Sequence, residues 1–209
     1  MQRGQEPGSA GARYDLDELK VLVVDDADFM RHLLRSILHA LRITNVTVAS
    51  SGADAFAALR ISLVDIILVD WHMEPMDGLE FVRLLRTGED SPNPYIPVIM
   101  VTANTQAWRV AQARDVGVNE FIAKPLSPKG LYQRIIAVID GARPFVRTST
   151  YFGPDRRRRN LGPPEGIAER RVAGAPRPME PLTRPGPKPS TPARTGSGPR
   201  AARAEGIDR

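Results

Sequence analysis

The stretch "DIILVDWHMEPMDGLEF", residues 65–81, decides the fold. Its apolar run, Ile66–Val69, stops on an aspartate, Asp70. A second run, "LKVLVVDD" (19–26), stops on two more, Asp25 and Asp26. Short, wholly apolar runs of this kind read as buried strands. Carboxylates repel one another and resist burial. Three of them at the ends of two buried strands require a cation to hold them there.

Outward from these two runs the chain alternates. "LKVLVVD" (19–25), "NVTVAS" (45–50), "DIILVD" (65–70), "IPVIMVTA" (96–103) and "NEFIAK" (119–124) read as strands. Helices are expected at 28–42, 52–60, 78–87, 105–117 and 127–141. The first carries a stripe of Met30, Leu34, Ile37 and Leu41, with Asp28 as N-cap. Gly88 and Gly117 close the third and fourth. Ser127 caps the fifth, with Pro128 in its first turn. Five apolar strands alternating with five helices predict an α/β, doubly wound, parallel sheet, buried on both faces under helices. Sites in such sheets form at the carboxyl ends of the strands. Asp25, Asp26, Asp70, Thr102 and Lys124 all stand there, on the first, third, fourth and fifth strands.

Hard oxygen ligands without a His or Cys cluster suit Mg²⁺, which keeps several waters and favours phosphate as a further ligand. Lys124 adds a fixed positive charge and Thr102 a hydroxyl. Acids, metal, lysine and hydroxyl together suit a phosphoryl group, whose charge in transfer lies on its equatorial oxygens. The nucleophile can itself be a carboxylate. Asp70 is the best placed, because Asp25 and Asp26 form a pair suited to metal.

The motifs "VVDDADFMRHLLRSIL", "VDWHMEPMDGLEF", "IMVTAN" and "FIAKP" together resemble the receiver domain of two-component response regulators, over about residues 17–140. The likeness is strongest to single-domain chemotaxis receivers. It implies a strand order of 2-1-3-4-5 and a phosphoacceptor signalling domain rather than an enzyme acting on external substrates, with self-phosphorylation and autodephosphorylation of its own. By resemblance, Asp70 is the phosphoacceptor, and Asp26, Asp70 and the backbone carbonyl of His72 bind Mg²⁺. Asp25 acts through a metal-bound water. Lys124 pairs with one phosphoryl oxygen and Thr102 with another. Phe121 holds the place of the switch aromatic, without the hydroxyl often found there. Lys124-Pro125 matches the family's cis bond. His72 and Asn104 occupy positions that tune phosphoryl lifetime. One departure is Glu74-Pro75, since the family usually has proline one residue earlier.

The resemblance implies a phosphoryl donor, a histidine kinase or a phosphotransfer protein. It also implies a downstream protein that binds the face formed by the fourth helix, fifth strand and fifth helix. Phe29, Leu33 and Leu38 lie beside the main stripe of the first helix and read equally as a docking surface or a wide core face. Trp108 reads as output face or as partly buried packing. His32 and His39 read as a solvated face, and His72 as an exposed rim residue. A rival enzyme reading, an aspartyl-phosphate phosphatase using Asp26 and Asp28, leaves Asp70 unexplained.

The flanks differ from this centre. From Gly141 onward the chain carries 15 Lys and Arg against 6 Asp and Glu, a net +9, which leaves −4 on residues 1–140. The sequence pI of about 10.0 therefore belongs to the tail. Twelve of the 19 prolines lie there too. Residues 1–16 and 142–209 are expected to be disordered, around a receiver at 17–141. The basic run "RRRR" (156–159) suits phosphate recognition, on nucleic acid, an anionic membrane or the acidic receiver. No DNA-reading module is visible, so nucleic acid ranks below protein as a partner. A phosphate sink without output is a further alternative. There is no cysteine, no signal-peptide pattern and no run long enough to span a bilayer. The expectation is a stand-alone cytoplasmic response regulator.

Overall fold

The computed structural model describes residues 14–103, 106–141 and 143–156. The central strand is β3 (Ile66–Asp70), buried at every residue. Beside it run β1 (Lys20–Val24) and β4 (Val98–Thr102), and outside these lie β2 (Asn45–Ala49) and β5 (Glu120–Ala123). The order is β2-β1-β3-β4-β5, all parallel, as expected. Burial on both faces holds for β1, β3 and β4 only. β2 is an edge strand with three of its five residues exposed, because half of its backbone and part of its faces lack a neighbour.

Register sets the site. Val24 pairs with Val69, so Asp25 and Asp70 follow side by side. Asp70 pairs with Val101, which puts Thr102 one step on. Thr102 pairs with Ala123, which puts Lys124 one step further. The four strand ends form a staircase with a functional residue on each tread.

The helices are α1 (Asp28–Ala40), α2 (Gly52–Ile61), α3 (Gly78–Thr87), α4 (Ala107–Asp115) and α5 (Pro128–Asp140). The Ser127 side chain accepts from the Gly130 N–H at 3.1 Å, and Pro128 follows it, as read from the sequence. Asp28 is not the cap. That place falls to Ala27, which has no side chain to offer, while Asp28 is the first helical residue and pairs with Arg31. Its charge still favours the helix N-terminus there. Asp77 caps α3 instead, accepting from the Glu80 N–H at 2.7 Å. Gly117 follows α4 with φ +97°, a conformation that strains any residue carrying a Cβ. On α1, Leu34, Ile37 and Leu38 are buried and Phe29 is 74% exposed, so Leu38 belongs to the core and Phe29 to the surface.

The chain does not become structureless after Gly141. Phe145–Arg147 (β6) and Phe152–Pro154 (β7) form an antiparallel hairpin. Three aromatic rings hold it: Phe145 and Phe152 lie 5.2 and 5.3 Å from Tyr95 and 5.7 Å from each other, centroid to centroid. Arg143 donates to the backbone carbonyls of Asn119 and Asp155. Leu16, inside the expected N-terminal disordered segment, is buried as well. A few large side chains with partners elsewhere in the chain order a segment whose overall composition argues against it. The rest of both expected tails, 1–13 and 157–209, lies outside the described residues.

The hairpin closes over a buried cation. Arg86 of α3 is 2% exposed and donates to the carbonyls of Gly117 (3.1 Å) and Pro94 (2.7 Å) and to Asn119 Oδ1 (3.2 Å). Its guanidinium carbon lies 5.1 Å from the centre of the Phe145 ring. Burial lowers its pKa to about 9, so it stays charged at neutral pH. Three acceptors and a π face offset the cost of desolvating that charge.

Phe145→Ala should therefore destabilise the protein by about 3 kcal/mol, the usual scale for deleting a buried ring. Arg86→Leu should cost at least about 3 kcal/mol, because three acceptors lose their donor at once. Urea unfolding of the two variants measures both. Costs within about 0.5 kcal/mol of zero, the range of surface substitutions, would show the hairpin to be undocked in solution.

Candidate phosphoryl site

The carboxylates predicted from the strand ends do come together. Asp25, Asp26 and Asp70 each offer an oxygen, all within 4.8 Å of one another. Asp25 and Asp70 are buried, at 1% and 5% exposure, and Asp26 is exposed. Lys124 follows β5 directly. Its Nζ lies 2.9 Å from Asp70 Oδ1 and 3.7 Å from Asp25 Oδ2. The Lys124-Pro125 bond is cis, as the resemblance implied, and Glu74-Pro75 is cis as well.

Backbone groups fix the acids. The His72 N–H donates to Asp70 Oδ2 at 3.0 Å. The Ala27 N–H donates to Asp25 Oδ1 at 2.9 Å. Arg31, one helical turn on, donates to the backbone carbonyl of Asp25 at 2.6 Å. Gly78 closes the far side. Its N–H donates to the Trp71 carbonyl at 2.9 Å, and a Cβ there would stand 2.1 Å from the Asp70 carbonyl oxygen. Only glycine lets α3 begin so close to the end of β3.

The remaining predicted residues lie where the strands put them. Thr102 is buried at the end of β4. Phe121, on β5, is half-buried against the core. His72 is exposed at the rim. Asn104 falls outside the described residues. Asp28, required by the phosphatase reading, lies 82% exposed and is taken up by Arg31. Trp108 is 60% exposed rather than packed inside. His32 and His39 are on the exposed face of α1. Of the basic run, only Arg156 is described, and it pairs with Asp115 at 2.9 Å on the receiver itself. That pair is solvent-exposed, so it contributes little to stability.

Sequence reasoning missed Arg31, Arg109 and the role of Trp71. Arg109, in the first turn of α4, lies over both Trp71 and Trp108 and reaches His72. Arg31 sits within the quoted "DDADFMR" motif, where a basic residue one turn into a helix can meet the preceding strand end. Nothing in the periodicity of α4 marks Arg109.

The acids fit a divalent cation. Asp25 Oδ2 is buried without a hydrogen-bond partner among the described residues. Burial, reinforced by the neighbouring Asp70 charge and opposed by the Ala27 N–H, raises the pKa of Asp25 above its ordinary value of 3.8. A group that resists ionisation beside two other carboxylates is one that a hard cation would relieve.

A family model described as "Response regulator receiver domain" matches residues 21–136. The chain is 31% identical over 122 residues to the chemotaxis protein CheY of Pseudomonas aeruginosa, covering 58% of this chain and 97% of that protein. It is 29% identical to CheY-3 of Vibrio cholerae, over 58% and 92% of the two chains. Among solved structures, chemotaxis protein CheY4 of Vibrio cholerae superposes with a TM-score of 0.53 at 28% identity, over 57% of this chain and 98% of that one. The receiver domain of the Francisella response regulator 1452 does so with a TM-score of 0.53 at 25% identity, over 60% and 100%.

Asp25 holds its proton to higher pH in the folded chain than in the unfolded one. Through this group, folding carries no penalty below about pH 3.8, and a growing penalty as pH rises through the elevated pKa. Asp25→Asn should thus melt higher than wild type at pH 7 in a chelator, with the gap closing as pH falls towards 4. Thermal unfolding across that pH range tests it. A variant that melts lower than wild type at pH 7 would show the carboxylate to be net stabilising.

Proposed function

The chain belongs to the response regulator receiver family, and on that footing we propose that it accepts a phosphoryl group from a phosphohistidine onto Asp70 and signals by phosphorylation-dependent protein binding. The observation that carries this reading is Lys124 Nζ at 2.9 Å from Asp70 Oδ1, beside two further carboxylates at the end of the neighbouring strand. Asp70 meets Lys124 at 2.9 Å on one oxygen and a backbone N–H on the other, whereas Asp25 stands 3.7 Å from Lys124. Such contacts hold its carboxylate in place as the nucleophile.

Asp25, Asp26, Asp70 and the His72 carbonyl would hold Mg²⁺, which when bound neutralises phosphoryl oxygens during transfer. An Asp70 oxygen attacks phosphorus as the bond to the histidine nitrogen of the donor breaks. Lys124 stays with the incoming charge. The Thr102 hydroxyl, buried one register step from Asp70, donates to a phosphoryl oxygen and moves towards it. That movement, passed to α4 and to the half-buried Phe121, shifts a two-state equilibrium of the face built from α4, β5 and α5. A histidine kinase or phosphotransfer protein donates, and a downstream protein reads the face, with Trp108 exposed upon it. Among the described residues no helix is long and apolar enough to cross a membrane. We place the reaction in the cytoplasm, where such kinases present their phosphohistidine.

Incubated with Mg²⁺ and a small acyl phosphate, the protein should gain one phosphoryl group by intact mass. Asp70→Asn should gain none, and omission of Mg²⁺ should abolish the gain. Lys124→Ala should slow phosphorylation roughly a hundredfold, the scale for losing one charge-stabilising donor. An adduct that persists in Asp70→Asn would move the acceptor elsewhere.

A further inference from the structure

Helix α4 is held firmly at one end and thinly at the other. Towards its C-terminus Ala113 is buried, and Val116, just past the last turn, packs against the core. The Ala113 carbonyl accepts from the Val118 N–H at 3.1 Å, and the Gly117 carbonyl accepts from the buried Arg86 at 3.1 Å. The hairpin adds Arg156, 2.9 Å from Asp115. The N-terminal end is built differently. Its cap residue, Gln106, makes no side-chain capping hydrogen bond, and the first turn carries no acidic residue to meet the helix dipole. Ala107 and Trp108 are exposed.

Arg109 supplies the hold that this end lacks. It stands four residues before Ala113, on the same side of the helix. Its guanidinium carbon lies 5.4 Å from the ring centre of Trp71, a residue 4% exposed that directly follows Asp70. The ring centre of Trp108 lies 4.9 Å from the same carbon, and the Trp108 Nε1–H donates to Gln106 Oε1 at 2.8 Å. One cation thus joins the residue after the acceptor, the cap of α4 and an exposed indole. The hold is a shallow one. A cation–π contact is modest beside the apolar burial that fixes the other end. Arg109 Nε is buried without a hydrogen-bond partner among the described residues, and Nη1 stands 3.4 Å from His72 Nε2, too long for a strong hydrogen bond.

We propose that Arg109 is the positioning residue that sets the resting orientation of α4: stacked on Trp71, it seats the first turn of the helix, and Trp108 with it, against the strand end that carries Asp70. The inference rests on the reading of Asp70 as acceptor and of the α4 face as the one a partner reads. Giving up the seat lets the helix swing about its fixed C-terminal end. An interaction made only in the resting orientation opposes the switched one by the same free energy. Loss of Arg109 therefore moves α4 towards the switched orientation without a phosphoryl group, and phosphorylation then has less left to shift. Arg109 touches none of the reacting atoms.

Two backbone amides separate the ends of the helix. The Val110 N–H, bonded to the Gln106 carbonyl at 3.2 Å, reports the first turn, and the Val118 N–H reports the fixed end. Amide exchange followed by NMR on the full-length chain should give a Val110 protection factor about tenfold lower in Arg109→Ala than in wild type, equivalent to about 1.4 kcal/mol, with Val118 unchanged within about twofold. Arg109→Lys, which keeps the charge but loses the stacking plane, should fall between them and serves if the alanine variant folds poorly. Phosphorylation with a small acyl phosphate and Mg²⁺ should lower Val110 protection in wild type and change it little in Arg109→Ala. Both proteins should gain one phosphoryl group by intact mass, the variant no more slowly than wild type. Equal Val110 protection in all three proteins would overturn the proposal. So would an equal fall at Val110 and Val118, the mark of a merely structural role, or a full response to phosphorylation in Arg109→Ala. A wild type that takes up no phosphoryl group would defeat the assignment of Asp70 and leave the seat of α4 to be decided by the Val110 comparison.

Discussion

Three carboxylates at one edge of a buried sheet repel one another, and the strand register forces them together. Val24 opposite Val69 leaves Asp25 and Asp70 no choice of neighbour. Lys124, delivered from the far edge strand, is the described cation that lies near both. Much of the surrounding structure serves this arrangement. Gly78 lets α3 begin against the Asp70 carbonyl, Ala27 and His72 supply backbone donors, and Arg31 ties the carbonyl of Asp25 to α1. Even so, Asp25 Oδ2 remains buried without a hydrogen-bond partner among the described residues. Such a site trades stability for the capacity to bind something of opposite charge.

The sheet was legible because its signal is local. A run such as "IILVD" can be little other than a buried strand, and an acid at its end marks the carboxyl edge whatever the rest of the chain does. The five strands, their alternation with helices and the residues at their ends follow from such runs. Edge strands were less legible. "NVTVAS" has the composition of a strand but says nothing of how many neighbours it has, and only the sheet order reveals that β2 is half bare. The Asp28 cap misled by one residue, because α1 begins with helical geometry at Asp28 itself.

What the sequence hid depends on distant partners. Phe145, Tyr151 and Phe152 stand among prolines and arginines, and by composition the segment belongs with the tail. Its order comes from Tyr95 and Arg86, 50 and 59 residues before Phe145 in the chain. Arg86 did leave a trace. Leu79, Val82 and Arg86 fall on one helical stripe, so a charge occupies a core position, and a charge there must find acceptors or a ring. Arg109 left none. Its neighbours Trp71 and His72 lie on another element, and nothing in α4 alone points to them.

The hairpin has a consequence for how this unit can be moved between polypeptides. The family match ends at residue 136, and a graft designed on that boundary would keep α5 only in part and omit β6 and β7 entirely. The transplanted piece would carry a guanidinium stripped of its ring and a tyrosine stripped of its two aromatic neighbours. In this protein the end of the family match and the end of the described packing are different places. The second lies at the far end of the hairpin, near Arg156, where the chain takes its last described hold on the receiver through Asp115.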